Sequence, residues 1–334
     1  LSGVAGIRAM YKLTDDLPLR VLFMMPSCVP ATPFEHSGAE LVAEDMEPFL
    51  RKSRILGLGE VMDYVSTISG QREMMDKLRL FEGKPVDGHA PLLSGLELNA
   101  YRAAGPSTDH ECSNYDEVLE KLRTGMRILI RVGSAANGID ELLTRIVRNK
   151  LPTDNMMFCT DDKHLENIRA EGHINCIAKL AVACGMAPVE AVRMASYNAA
   201  RAYGLKNVGA IAPGYKGDMV LFEDLKDFKA LRVFTRFGKP YEPDFVMNAP
   251  ILPPVVYNSV RIGRLNADDL RLPAKETMPV IGLIEGQLVT KRLDRQVRRD
   301  AQGCFLPDEN LAKLAVIERH HSTGNIGLGI VEGL

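Results

Sequence analysis

The chain has 334 residues, a formal net charge of −2, 46% hydrophobic and 25% charged residues. That length accommodates one large domain plus a smaller one. The near-neutral balance gives no electrostatic footing for nucleic acid or an anionic membrane, and no apolar stretch approaches the length of a membrane span. The opening LSGVAGIRAMYK lacks the apolar core of a secretion signal, so a cytoplasmic location is expected. Cys28, Cys112, Cys159, Cys176, Cys184 and Cys304 form no C-x-x-C pair, which argues against a zinc knuckle or dithiol site and for reduced thiols.

The first stretch, GVAGIRAMYKL, reads as a helix with no strand before it. Six short apolar runs follow, each ending in a polar residue: 19–27, 54–60, 85–89, 106–111, 126–134 and 156–162. Helical stretches lie between them, such as GAELVAEDMEPFL, QREMMDKLRLF, LLSGLELNAYRAA, YDEVLEKLRT and GIDELLTRIV. Strands alternating with helices of this length predict βα units and a parallel sheet. The runs lack clean alternation, as strands covered on both faces do. An eight-stranded βα barrel would be short of about two strands at its front end. A doubly wound sheet is the alternative, but no G-x-G-x-x-G or phosphate-binding loop follows any run.

After residue 163 the pattern is helical to about 204, with Gly185 and Pro188 as punctuation. Residues 205–241 carry short strands with Gly/Pro turns, 242–275 is a proline-rich linker or crossing segment, and a last segment, MPVIGLIEGQLVTKRL, returns to strand character.

The residues at the C-terminal ends of the six runs are Ser27, Glu60, His89, His110, Val132 and Asp161. In parallel βα folds that end of the sheet carries the site. Each residue alone has an ordinary structural explanation: a helix cap, a turn, a solvated cluster. Four metal-ligand types on four different strand ends are harder to explain as packing. The functional reading is a metal centre that activates water. Asp161 then faces the metal and the reacting proton, while Asp162 caps the helix starting near Lys163.

Long stretches resemble the adenine deaminases of the amidohydrolase superfamily: MPSCVPATPFEHSGAEL, GLGEVMDY, VDGHAPLLSGLELNAYRAAGPSTDHECSNYDEVLEKLRTGM, FCTDDKHLENIRAEGHIN, AVRMASYNAARAYGL, GAIAPGYKGDMVLFEDL and VIERHHSTGNIGLGIVEG. The resemblance implies an α/β fold: a distorted (β/α)8 TIM-like barrel over 1–204, N-terminally incomplete here. It also implies a small β-sandwich over 205–241 and, from 276, the start of a C-terminal α+β domain continuing beyond Leu334. It implies a binuclear divalent-metal centre, manganese first with iron or zinc as alternatives. Glu60 would bridge the metals, His89 and His110 would ligate, and Asp161 would ligate and shuttle the proton. The reaction implied is hydrolysis of adenine to hypoxanthine and ammonia in purine salvage, with a homodimer as the expected assembly. Ser27, Ser134 and His173 are the implied adenine-binding candidates.

Two departures stand out. The superfamily's His-x-His pair is absent, consistent with the missing front strands. Val132, in Arg131-Val132-Gly133-Ser134, stands where the resemblance expects a glutamate facing the site. His36 reads as incidental, His164 as helical, and His320 and His321 as belonging to the C-terminal domain. A different amidohydrolase, such as a deacetylase or cyclic-amide hydrolase, and a truncated non-catalytic remnant are the competing readings.

Overall fold

The computed structural model describes residues 1–135, 138–235, 238–241, 250–285 and 289–334. Helix α1 (Gly3–Leu13) precedes β1 (Phe23–Pro26), as its pattern predicts. The stretch 38–50 folds only as a short α2 (Ala43–Met46) and one 3₁₀ turn, with Pro48 inside that turn. Then come β2 (Ile55–Val61), α3 (Tyr64–Ile68), α4 (Arg72–Leu80), β3 (Val86–Gly88), α5 (Gly95–Ala104), β4 (Thr108–Asp109), α6 (Tyr115–Arg123), β5 (Arg127–Arg131), α7 (Asp140–Arg148) and β6 (Met156–Cys159). All six apolar runs are therefore strands. Asp63 and Asn114 cap α3 and α6 by accepting the Ser66 and Glu117 amides.

The strands lie in chain order and pair parallel: β1-β2-β3 and β4-β5-β6. Ser107 N–H to Val86 O, and Gly88 N–H to the Thr108 hydroxyl, join the two triplets into one curved row. The backbones approach so closely there that a Cβ on Gly88 would sit 2.3 Å from Thr108 O. Only glycine fits between Asp87 and His89. Among the described residues β1 and β6 do not pair with each other.

Two apolar clusters hold the row. One packs Met25, Leu58, Val86, Leu98 and Tyr101 around β1–β3. The other packs Ile128, Ile130 and Val132 of β5 and its end against Leu142, Leu143 and Ile146 of α7. The i, i+1, i+4 spacing of those α7 residues is the buried stripe of an amphipathic helix. Each such side chain contributes about 1.5–3 kcal/mol on burial.

Helices α8 (Leu165–Glu171), α9 (Ile174–Ala183), α10 (Pro188–Ala195) and α11 (Tyr197–Ala202) follow β6. The segment 205–241 forms one antiparallel sheet of β7 (Met219–Phe222), β8 (Ala230–Thr235) and β9 (Lys239–Pro240). Of the proline-rich segment 242–275, residues 242–249 lie outside the described residues; the remainder holds α12 (Pro254–Tyr257) and one 3₁₀ turn. From 276 the elements are β10 (Thr277–Gly282), β11 (Lys291–Gln296), β12 (Arg298–Arg299), β13 (Phe305–Leu306), β14 (Leu311–Ile317) and β15 (Ile326–Glu332). The helical part of the expected α+β unit does not appear among the described residues of 276–334. Its stretches are strands of a mixed sheet in the order β11-β10-β15-β14, antiparallel at both outer pairs and parallel between β10 and β15, with an antiparallel β12-β13 ribbon.

Candidate active site

The row's C-terminal ends converge. Glu60 is the penultimate residue of β2, His89 and His110 follow β3 and β4 directly, and Asp161 lies two residues past β6. Glu60 and Asp161 both hold positive φ, +22° and +46°. Such backbone in non-glycine residues costs on the order of 1–3 kcal/mol and persists where surroundings enforce it. The surroundings of Glu60 are explicit. Ser27 Oγ donates to Glu60 O at 2.6 Å, and the buried Tyr101 hydroxyl donates to Val61 O at 2.6 Å while accepting the His89 amide at 3.0 Å. One tyrosine thus sets the relative height of the Glu60 and His89 strand ends.

Glu60 Oε1 lies 3.0 Å from His89 Nδ1 and 3.5 Å from His110 Nε2, and the two imidazole rings meet edge to face at 5.4 Å. Contact with His110, then with His89, holds the Glu60 carboxyl well below the usual carboxylate range despite its partial burial. Burial alone would lower the His110 pKa; the surrounding acids, Glu60 first and then Asp109 and Glu111, more than offset this and raise it.

The second half of the site contains two residues that the sequence reading missed. Arg131, at the end of β5, forms a fork on Glu111: Nη1 to Oε1 at 2.5 Å and Nη2 to Oε2 at 3.1 Å. Its Nη1 also reaches Asp161 Oδ2 at 2.6 Å. Glu111 Oε1 lies 3.3 Å from His110 Nε2 and 3.6 Å from His89 Nδ1, so it closes the ring between the halves. Alternation carried a signal for Arg131: Ile128, Ile130 and Val132 fill the helix-facing core, which leaves Leu129 and Arg131 on the opposite, inner face.

The same alternation corrects the reading of position 132. Val132 is 5% exposed and packed in the helix-side cluster, so its side chain does not face the site; the inward group at this strand end is Arg131. Asp162 is corrected as well. The N-cap of α8 is His164, and Asp162 Oδ2 instead accepts the Ala135 amide at 3.0 Å, tying the loop after β5 to that after β6. A Cβ on Gly133 would lie 1.6 Å from Asp162 Oδ1, so this tie requires glycine there.

A cavity of about 380 Å³ opens among these ends, lined by Glu60, His110 and Asp161 with Met24, Met62 and Leu129 among its apolar walls. Ser27 and Cys28 also line it. Ser134 and His173 are not among its lining residues. Ser134 Oγ donates to Asn167 Oδ1 at 2.7 Å and accepts the His164 amide at 2.8 Å. His173 Nε2 lies 3.1 Å from Thr160 Oγ1, one residue before Asp161; burial, then Lys163, lowers its pKa. Deeper in the cavity Asp87 accepts from Thr108 Oγ1 at 2.9 Å and from the Tyr203 hydroxyl at 3.1 Å. Burial raises its pKa. His320 and His321 are remote from these residues in role: they contact Ser259 O and Ser37 O.

The donor set fits a divalent cation. Glu60, His89 and His110 each offer one ligand atom, all within 4.8 Å of one another. His89 Nδ1 is buried and makes no hydrogen bond of acceptable geometry, although the Glu60 oxygen is only 3.0 Å away. An orphaned imidazole nitrogen beside a carboxylate and a second imidazole is an arrangement a metal satisfies. A second, overlapping group is His110, Glu111 and Asp161.

The chain matches the amidohydrolase family over residues 2–250. That decides the family. The chain belongs to the amidohydrolases. It is 42% identical over 334 residues to an adenine deaminase of Desulfitobacterium hafniense (strain Y51), covering 100% of this chain and 58% of that protein. It is likewise 42% identical over 343 residues to adenine deaminase 2 of Carboxydothermus hydrogenoformans, covering 100% of this chain and 59% of that protein. The chain therefore spans somewhat over half the length of these curated relatives. In fold it is similar to a β-aspartyl dipeptidase of Fervidobacterium islandicum AW-1, with TM-score 0.50, 16% identity and 74% of each chain covered. An N-acetylglucosamine-6-phosphate deacetylase of Pasteurella multocida gives TM-score 0.50 at 14% identity, with 71% of each chain covered. Both support the α/β barrel-like fold of an amidohydrolase. Membership of this family implies a divalent metal, in agreement with the donor set.

Proposed function

We propose that this amidohydrolase is an adenine deaminase: water adds at C6 of adenine, the C6–N bond to the exocyclic amine breaks, and hypoxanthine and ammonia leave. The observation that carries the reading is Asp161, a positive-φ carboxylate lining the same cavity as Glu60 and His110. The names of the relatives support the substrate. The cavity's about 380 Å³ lies within the range of small-molecule sites, roughly 300–1,000 Å³.

Glu60, His89 and His110 would hold the metal, manganese by preference, with iron or zinc compatible with the same donors. When bound, it supplies Lewis-acid activation of water near neutral pH. A second ion, as in a binuclear centre, would use His110, Glu111 and Asp161 and would have to replace Arg131 there. Arg131 holds Asp161 Oδ2, which leaves Oδ1 without a hydrogen-bond partner among the described residues. That oxygen takes the proton of the attacking water and returns it to the departing amine. The methionine and leucine walls exclude water from the purine faces, and the half-buried Asp87, kept toward its neutral form, is the deep polar contact for a ring nitrogen. No helix among the described residues is long and apolar enough to cross a membrane. A cytoplasmic homodimer serving purine salvage completes the proposal.

The test is ammonia release from adenine with added Mn²⁺. Equimolar hypoxanthine and ammonia are expected, falling about 10³-fold in Asp161→Asn, within the usual range for a general acid–base. Metal-loaded protein that hydrolyses another cyclic amide and leaves adenine intact would contradict the substrate assignment.

A further inference from the structure

Beneath the histidine pair lies a buried charge cluster that the proposed chemistry does not use. Lys121 of α6 is fully buried, as is Asp109 of β4. All three ammonium protons have acceptors: Ala90 O at 2.6 Å, Glu117 Oε1 at 2.7 Å and Asp109 Oδ2 at 2.8 Å. The two carboxylates accept backbone amides in turn. Asp109 takes those of Ala90 at 2.8 Å and Glu111 at 3.1 Å; Glu117 takes those of Leu92 at 2.9 Å and Ser113 at 3.0 Å. These amides belong to two loops only, the one that starts with His89 and the one that starts with His110.

The cluster is not explained as a source of stability. Buried ion pairs can often be replaced by apolar groups at no net loss, because desolvation consumes the Coulombic gain. What it supplies is geometry: one ammonium with three fixed acceptors references two loops to a single point. Asp109, Cys112 and Glu117 form a metal-type donor group by themselves, and the Lys121 ammonium already neutralises its acids. Burial alone would lower the Lys121 pKa, but the Asp109 charge leads a set of interactions that raises it instead, so the ammonium stays charged at working pH.

We infer that Lys121 is a positioning residue, an internal ammonium that fixes the loops after β3 and β4 and thereby sets the spacing of His89 and His110 for a metal ion. The inference rests on the metal-centre reading above and adds a requirement to it. Outer-shell partners of metal ligands typically change affinity by about 10–100-fold.

The test is Co²⁺ titration of the full chain, read by visible absorption for ligand geometry and by competition with a chelator for affinity. Lys121→Met is expected to bind Co²⁺ about 10–100-fold more weakly with an altered spectrum. Leu143→Ala, which thins the α7 core and removes none of the cluster's hydrogen bonds, serves as a general destabilisation control and is expected to keep both affinity and spectrum. Should Lys121→Met fail to fold, Glu117→Gln keeps the shape and removes one charge, and at least a threefold loss is expected. Wild-type affinity and spectrum in folded Lys121→Met or Glu117→Gln overturn the inference and leave the metal centre standing. An equal loss in Leu143→Ala also overturns it. No Co²⁺ binding by the wild type overturns the metal centre and this inference together.

Discussion

Three acidic groups sit at or under the same strand ends, and they differ in what balances them. Asp109 and Glu117 hold Lys121, and Glu111 and Asp161 hold Arg131. Among the described residues Glu60 pairs with His89 and His110 alone, which are charged only if protonated. Two groups are neutralised by a cation from the chain itself; the third is arranged around a space that an external cation fits. On the proposed reading, the contrast assigns a metal not wherever acids gather, but where imidazoles replace the lysine or arginine that would otherwise close the cluster.

Removing an internal cation should break the contrast. Arg131→Met leaves two carboxylates without their partner, one of them largely buried, and breaking such a pair costs about 3–5 kcal/mol. Urea unfolding should show that loss, and Mn²⁺ should restore part of it by taking the vacated position. A variant whose unfolding midpoint responds to Mn²⁺ no more than the wild type would remove the equivalence of arginine and metal. The converse variant, Glu60→Gln, should fold normally yet bind metal more than 100-fold more weakly, beyond the roughly 10–100-fold range of outer-shell changes. Equilibrium dialysis gives the number, and a loss under tenfold would make Glu60 peripheral.

A smaller effect should come from a fourth group, a single acid held by backbone amides. Glu318 accepts the amides of His320, His321 and Thr323 and the Thr323 hydroxyl. Burial would raise its pKa, but the Thr323 amide leads the hydrogen bonds that bring it down to about 2. A folded-state pKa below the unfolded value contributes stability that is present above the unfolded pKa of about 4.3 and is lost as pH falls through the folded one. Glu318→Gln should therefore lower the melting temperature by a few degrees at pH 7. The gap from wild type should close between about pH 4.3 and 2. A gap unchanged across that window would mean the amide cage does not discriminate the charged form.

Much of this was legible in the sequence because the parallel row is read one strand at a time. Each strand is a short apolar run with its own punctuation, so Glu60, His89, His110 and Asp161 could be placed at strand ends without knowing how strands neighbour. Alternation along β5 points Arg131 inward, but its role and that of Glu111 arise between strands: the fork exists only once β4 and β5 lie side by side. Lys121 was hidden for another reason. On α6 it reads as the basic partner of Glu117 at i, i+4, a solvated pair on most helices, and only packing reveals it as buried. Asp162 was misread because a cap and a loop tie present the same residue in the same place; the glycine at 133 was the discriminating sign. Strand character was visible over 278–293, where β10 and β11 lie, but the strands beyond were not read, and the order β11-β10-β15-β14 is long-range pairing that no local pattern encodes.

The most direct test of the central claim is an anomalous difference map from crystals soaked in Zn²⁺ or Mn²⁺. The account predicts a peak within roughly 2.0–2.3 Å of Glu60 Oε1, His89 Nδ1 and His110 Nε2, the bonding distance for these ligand types. A map with its only peak beside Glu111 and Asp161, or with no peak at these strand ends, would contradict it.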